Sequence, residues 1–256
     1  MGPVSYYKRI GGSLLLGVAL YLVAACAASS QVRLQADERY QLAQSYLGGN
    51  SYSLAEQEIR KALELVPDDA RYYELLALIQ QAQGRFPLAE NAYRLALQQT
   101  PIPPSVLVNY GALLLQRERL DEAISLIQRA LKDPTYERPA LAYTNLGLAY
   151  FKKGLLRQSV EQLQTALEYQ PDLPEAYYNL GLVYARLQER ETAIRNFREA
   201  IRYRPSYVEA HASLGQVLLA TGRTEEARVA FERVVTLAPD SDMAVDSRIQ
   251  LKLLAP

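Results

Sequence analysis

The residues that could carry chemistry in this chain are few. It has one cysteine, Cys26, and one histidine, His211, so it can form neither an intramolecular disulfide nor a metal cluster of several imidazoles. It contains no glycine-rich phosphate loop and no Gly-x-Ser-x-Gly elbow. Acidic pairs such as Glu225 and Glu226 are typical of helix N-termini, where carboxylates are stabilising. We therefore expect no enzymatic activity, no metal and no cofactor. The alternative is an active site built from carboxylates and tyrosines alone.

The N-terminus has the pattern of a secretory signal peptide. Lys8 and Arg9 precede an uncharged stretch, residues 10–32, whose apolar centre covers residues 14–25. A basic start followed by an apolar run of about 7 to 15 residues is typical of such signals. The apolar centre leads into Val23-Ala24-Ala25-Cys26. This tetrapeptide resembles a bacterial lipobox, in which the cysteine sulfur receives a diacylglyceryl group, the preceding bond is cut and the new amino terminus is acylated.

The lipobox resemblance implies a signal peptide over 1–25 and a lipidated tether over 26–35, attached at Cys26. Ala27 stands where an aspartate would resemble an inner-membrane retention signal, so the expected location is the outer membrane, with the rest of the chain facing the periplasm. Three alternatives are open. One is an uncleaved membrane anchor, since about 20 apolar residues suffice to cross a bilayer. The others are a signal peptide without lipid and a buried cysteine.

The remainder of the chain repeats with a period of about 34 residues, as solenoid proteins do. One small residue per repeat marks the period: Ala43, Ala77, Gly111, Gly147, Gly181 and Gly215. A second follows twelve positions later each time: Ala55, Ala89, Ala123, Ser159, Ala193 and Ala227. Large apolar residues flank the first small residue at helical spacing. The pattern predicts two short helices per repeat that approach closely and stack on the next pair.

Turn residues separate the two helices of each repeat. Asn50, Gly84, Gly154 and Gly222 stand at these places, and all of them tolerate a left-handed backbone. Glu118 and Gln188 hold the place in the other two repeats, so those two turns are less well specified. Five prolines close the repeats, because proline cannot continue a helix: Pro67, Pro101, Pro171, Pro205 and Pro239.

This pattern of small and large residues resembles the tetratricopeptide repeat family over residues 36–241. The resemblance implies an all-α fold, a right-handed superhelical solenoid of six repeats. The expected repeats are 36–69, 70–103, 104–139, 140–173, 174–207 and 208–241. Residues 242–256 are predicted to form a C-terminal capping helix.

The resemblance also places one face of each first helix on the concave side of the solenoid. In successive repeats this face is mostly apolar, which favours a groove for an apolar helix or strand of a partner protein. The alternative is that a tightly wound superhelix buries the same residues. The predicted groove residues are Leu78, Val108, Asn109, Leu115, Asn145, Leu148, Phe151, Tyr178, Asn179 and Leu182.

The asparagines of that set form a ladder with one member in each of three repeats. In related peptide binders such asparagines hold a partner's backbone. Family members that clamp a terminal carboxylate add basic residues four positions earlier. Here those positions hold Ser105, Leu141 and Glu175. The chain therefore departs from the carboxylate-clamp type.

The third repeat contains two extra residues, in the segment 132–139. This insertion, together with the lipobox, the length and the six repeats, resembles the pilotin lipoproteins of the type IV pilus system. The resemblance implies a lipid-anchored adaptor that binds secretin subunits and promotes their insertion and multimerisation in the outer membrane. The alternative is a scaffold lipoprotein of another cell-envelope complex. Nucleic acid is not expected as a partner, because 28 basic and 28 acidic residues give a net charge of zero.

Overall fold

The computed structural model describes residues 29–254, and every regular element in that range is an α-helix. The predicted signal peptide, Cys26 and the first residues of the predicted tether lie outside the described residues. In chain order the helices are α1 (29–48), α2 (Tyr52–Leu65), α3 (Ala70–Ala82), α4 (Phe86–Ala96), α5 (Pro104–Gln116), α6 (Leu120–Leu131), α7 (Pro139–Lys152), α8 (Leu156–Tyr169), α9 (Pro174–Arg186), α10 (Arg190–Tyr203), α11 (Val208–Ala220), α12 (Thr224–Leu237) and α13 (Asp242–Leu253).

Each predicted repeat range contains two helices, and the all-helical repeat fold expected from the sequence is confirmed. At the N-terminus the boundary differs from the prediction. Helix α1 already includes residues 29–35, which were predicted to belong to the tether. The segment Gln31 to Gln35 contains good helix formers and no glycine or proline, so the helix extends ahead of the first repeat.

Packing divides the chain into two compact units, one ending at Val106 and one beginning at Leu107. In the first unit α3 packs against α2 and α4, and α1 is joined to α3 by polar contacts. The hydroxyl of Tyr72 donates a hydrogen bond of 2.7 Å to Oδ1 of Asp37, and Arg71 pairs with the same carboxylate. In the second unit each helix from α6 to α13 packs against the next, and α7, α9 and α11 also pack side by side.

The glycines of the first helices set the distance between the two helices of a repeat. A Cβ atom built on Gly181 would lie 2.5 Å from Cε1 of Phe197, and one built on Gly147 would lie 2.5 Å from Cγ of Leu163. Gly111 and Gly215 meet the second helix in the same way. Any side chain at these positions would therefore push the helices apart. The small residues predicted to permit close approach do so here.

All six turns between paired helices adopt one backbone conformation. The second residue after each first helix has a positive φ, between 57° and 76°, at Asn50, Gly84, Glu118, Gly154, Gln188 and Gly222. The amide N–H of the residue that follows donates a hydrogen bond to the carbonyl oxygen five residues earlier. For example, Leu155 N donates to the Tyr150 carbonyl at 2.9 Å. This is the Schellman arrangement that ends helices. Glu118 and Gln188 adopt it although they carry side chains, so these turns are as regular as the others.

Candidate functional site

The predicted groove surface of the second compact unit lies on α7 and α9, which pack side by side. Leu148 and Phe151 belong to α7, and Tyr178 and Leu182 belong to α9. All four side chains are half-buried. In this unit each first helix turns its glycine toward the second helix of the repeat, so residues three positions before and one position after the glycine lie on a different face. That face is the candidate site.

Three of these side chains also support the protein's own core. Phe151 packs against a buried cluster that includes Leu163 and Leu180. Tyr178 and Leu182 pack against the next cluster, around Phe197. The candidate surface therefore combines the two interpretations that the sequence left open, because its residues are partly buried within the repeats and partly accessible.

An aromatic and charged cluster lies beside Tyr178. Its ring centroid is 5.0 Å from that of Tyr207, and the guanidinium of Arg204 lies 4.8 Å from the Tyr207 ring. Arg204 is paired with the carboxylate of Glu175. Burial raises the pKa of the Tyr207 and Tyr178 hydroxyls, so both are neutral at physiological pH. The cluster can offer hydroxyl groups, a cation and ring faces to a partner, without acid–base chemistry of its own.

The structure corrects part of the predicted groove. Val108 is fully buried and Leu115 is only 2 % exposed, so neither side chain can contact a partner. Asn179 is also buried, with 8 % exposed. These three residues belong to the packed interior of the second compact unit, whereas Asn109 on α5 and the half-buried residues of α7 and α9 stay partly accessible. In the first compact unit Leu78 is half-buried on α3.

The asparagine ladder is unevenly placed. Asn109 and Asn145 are half-buried, whereas Asn179 is buried. The positions that carry basic residues in carboxylate-clamp proteins are engaged otherwise. Ser105 donates a hydrogen bond of 3.0 Å to Oε2 of Glu74, and Glu175 accepts from Arg204. A terminal carboxylate would find no cation on these side chains, since they offer a hydroxyl, an aliphatic chain and a carboxylate.

The protein has a second concavity that was not predicted from the sequence. A cleft of about 590 Å³ is lined by residues of α10, α11 and α12, among them Ile201, His211, Leu218 and Val229. In the fifth repeat Tyr177 stands at the position of His211 and stacks on Tyr203, with ring centroids 5.6 Å apart. The sequence feature beside this cleft is the change from tyrosine to histidine at one repeat position.

The described residues also bear on metals and membranes. Between residues 29 and 254 no group of three or more His, Cys, Asp or Glu side chains is arranged to hold a metal ion. None of the helices in the described range has the length and apolar character that a membrane crossing requires.

His211 is 9 % exposed, and its Nε2 lies 3.0 Å from the carbonyl oxygen of Pro205. Its imidazole is therefore largely buried and contacts the backbone of its own chain.

Family models match most of the repeat region. The tetratricopeptide repeat model matches residues 40–101, 76–139 and 183–242, and a second TPR repeat model matches residues 147–188. The matched segments cover more than half of the chain. The chain belongs to the tetratricopeptide repeat family.

Among characterised proteins, the chain is similar to the type IV pilus assembly protein PilF of Pseudomonas aeruginosa. The two sequences are 30% identical over 138 residues, which cover 54% of this chain and 55% of the relative. The aligned segment thus spans little more than half of that protein's length.

Two solved structures show the same fold. A structure of Pseudomonas aeruginosa pilF superposes with a TM-score of 0.72 at 22% identity, covering 87% of this chain and 99% of the other. PilW, described as a widely conserved type IV pilus biogenesis factor, superposes with a TM-score of 0.75 at 24% identity, covering 86% and 97%. At these identities the likeness concerns the fold alone.

Proposed function

We propose that this protein is a lipid-anchored periplasmic adaptor, a pilotin, that binds secretin subunits and promotes their outer-membrane localisation and multimerisation for type IV pilus biogenesis. The sequence similarity to a type IV pilus assembly protein is the observation that carries this proposal. The lipobox-like tetrapeptide ending at Cys26 supports the anchor. The repeat fold supports a role in protein binding, because stacked repeats expose extended surfaces to partners.

The half-buried apolar face of α7 and α9 is the proposed contact surface. Its accessible parts are aliphatic and aromatic, so a partner's apolar helix or strand would lose contact with water on binding. The hydroxyls and the cation of the Tyr178, Tyr207 and Arg204 cluster would orient the partner at one edge. Binding here involves no covalent step, and the adaptor acts by holding secretin subunits near the membrane.

The groove is tested by Leu148→Ser, with Leu155→Ser as the matched control. Leu148 is half-buried on the proposed surface, whereas Leu155 is 41% exposed at the start of α8, outside that surface. A lost anchor residue costs about 2 kcal/mol of affinity when it lies in the centre of an interface. We expect fewer secretin multimers in the outer membrane with Leu148→Ser, normal multimers with Leu155→Ser, and normal thermal unfolding of both. Normal multimers and pili with Leu148→Ser would contradict the proposed groove.

The anchor is tested separately by Cys26→Ser. If Cys26 is acylated, cells fed radiolabelled palmitate should label the wild-type protein and leave the variant unlabelled, and the variant should remain a precursor or be mislocalised. Equal labelling of the two proteins would contradict the lipoprotein assignment. A mature protein that begins upstream of Cys26 would do the same.

A further inference from the structure

Helix α1 extends ahead of the repeat that it opens. It spans residues 29–48, whereas the corresponding helix of the second repeat spans Ala70–Ala82. All residues from 29 to 35 are exposed, and burial begins at Ala36. The first two turns of α1 therefore project beyond the packed part of the first repeat.

Apolar side chains are exposed around this projecting end. Val32 is 38% exposed and Leu34 is 60% exposed on α1, and Leu65 is 38% exposed at the end of α2. We call these three residues the N-terminal apolar patch. A cleft of about 720 Å³ beside it is lined by Val32 and Leu65, together with Val66 and Pro67. Arg33 and Asp68, both exposed, add one charge of each sign at the same place.

The chain itself limits what can lie next to this patch. Consecutive Cα atoms are at most 3.8 Å apart, so Cys26 can be no more than about 11 Å from residue 29. If Cys26 carries acyl chains, as the proposed function holds, the membrane surface lies within that reach of the start of α1, and Val32 and Leu34 follow about 5 and 8 Å further along the helix. From this tether and the exposed apolar side chains we infer that the N-terminal apolar patch rests in the interfacial region of the phospholipid bilayer.

The arrangement of the patch favours a bilayer over a protein partner. Val32 and Leu34 are two positions apart on a helix, so their side chains point to nearly opposite sides of α1. A single groove on another protein would cover one of them. The headgroup region of a bilayer surrounds a helix end on all sides and can receive both. Arg33 between them can pair with lipid phosphate, as basic residues do at anionic membrane surfaces.

The absence of tryptophan from the chain gives a direct test. Leu34→Trp introduces a single reporter into the acylated full-length protein, reconstituted in vesicles of phosphatidylethanolamine and phosphatidylglycerol. Leu54→Trp is the matched control, because Leu54 is 47% exposed but lies near the start of α2, about 16 Å along the helix from Leu65. We expect blue-shifted emission and strong quenching by brominated acyl chains for the tryptophan at 34. We expect neither for the tryptophan at 54.

The other outcomes overturn the inference in distinct ways. Water-like emission at position 34, equal to that at position 54, would show that the patch stays in solvent. A blue shift without quenching by brominated lipid would show that protein, or the protein's own acyl chain, covers the patch. Mass spectrometry of the same sample establishes whether Cys26 is acylated. An unacylated protein would refute the proposed anchor, whereas an acylated protein with a solvent-exposed reporter would refute only the membrane contact.

Discussion

The Oγ atom of Ser159 donates a hydrogen bond of 2.7 Å to the carbonyl oxygen of Gly147, and so joins the two small residues of the fourth repeat. The other five repeats have alanine in place of Ser159. Ser159 is fully buried, yet its hydroxyl is satisfied by this one contact.

Ser159→Ala should therefore cost only about 1 kcal/mol. It removes one hydrogen bond, worth about 1 kcal/mol, and leaves a methyl group of similar size in the same space. Ser159→Val should cost more, about 1 to 3 kcal/mol, because the added methyl groups overpack the contact with α7. Urea unfolding of the two variants measures the difference. A larger loss for alanine than for valine would contradict this account of the contact.

Gly181→Ala should destabilise the fifth repeat. Its new Cβ would lie 2.5 Å from a rigid buried ring, that of Phe197, and overpacking of this kind costs about 1 to 3 kcal/mol. Gly48→Ala is the control, since no heavy atom lies within 4 Å of the new Cβ there, and it should be neutral or stabilising. Hydrogen exchange should locate the damage in the fifth repeat and its neighbours. Uniform loosening of every repeat would argue against this linear organisation.

Gln188→Gly should stabilise the protein. Gln188 has a φ of 63°, a left-handed conformation that costs a residue with a side chain about 1 to 2 kcal/mol. Glycine avoids that cost but loses about 0.5 to 1 kcal/mol in chain entropy, so a gain of about 0.5 to 1 kcal/mol is expected. The reverse change, Gly154→Gln at a φ of 76°, should destabilise by a similar amount. Thermal unfolding of both variants tests the pair, and shifts of the same sign would refute it.

His211 should make stability depend on pH near neutrality. Burial lowers the pKa of its imidazole below the ordinary 6.5, while the hydrogen bond to Pro205 acts in the opposite direction. Because the unfolded chain binds this proton more readily than the folded chain, stability should fall as the pH drops below about 6.5, and stop falling below the folded pKa. His211→Tyr, which restores the residue of the two preceding repeats, should remove this fall.

The measurement is chemical unfolding of the wild type and His211→Tyr from pH 8 to pH 5. Carboxylates affect the pH dependence of stability at lower pH than His211 does. The hydrogen bond from Lys61 is the main reason why the pKa of Glu58 lies below 4.5, so its contribution to stability is lost only in more acidic solution. Identical pH profiles of the two proteins between pH 7 and pH 5 would show that His211 is not responsible.

Much of the fold follows from local rules that the sequence displays. Pro171 and Pro205 stand two residues after the ends of α8 and α10, because the proline ring excludes a continuing helix. The turn at Gln188 could not be predicted with equal ease. The helices on both sides impose its left-handed backbone, and the intrinsic conformational preference of glutamine does not indicate it.

The candidate site was harder to predict than the fold. The helical face that carries Leu148 follows from spacing alone, but burial depends on how closely neighbouring helices approach. Val108 and Leu148 share the helical face defined above, three positions before and one position after the glycine, yet the first is fully buried and the second is half-buried. The cleft near His211 lies between α10, α11 and α12, and its size depends on side-chain packing between these helices, which periodicity does not describe.

The glycine contacts constrain how the sequence of such a repeat protein can change in evolution. Each glycine meets a side chain of its own repeat: Gly111 meets Ile127, Gly147 meets Leu163, Gly181 meets Phe197 and Gly215 meets Phe231. Because every fit is internal, copying or deleting a whole repeat by recombination leaves no mismatched pair behind. With respect to these four contacts, whole repeats can be gained or lost without repacking. The two members of one pair, by contrast, must be replaced together or in a compatible order.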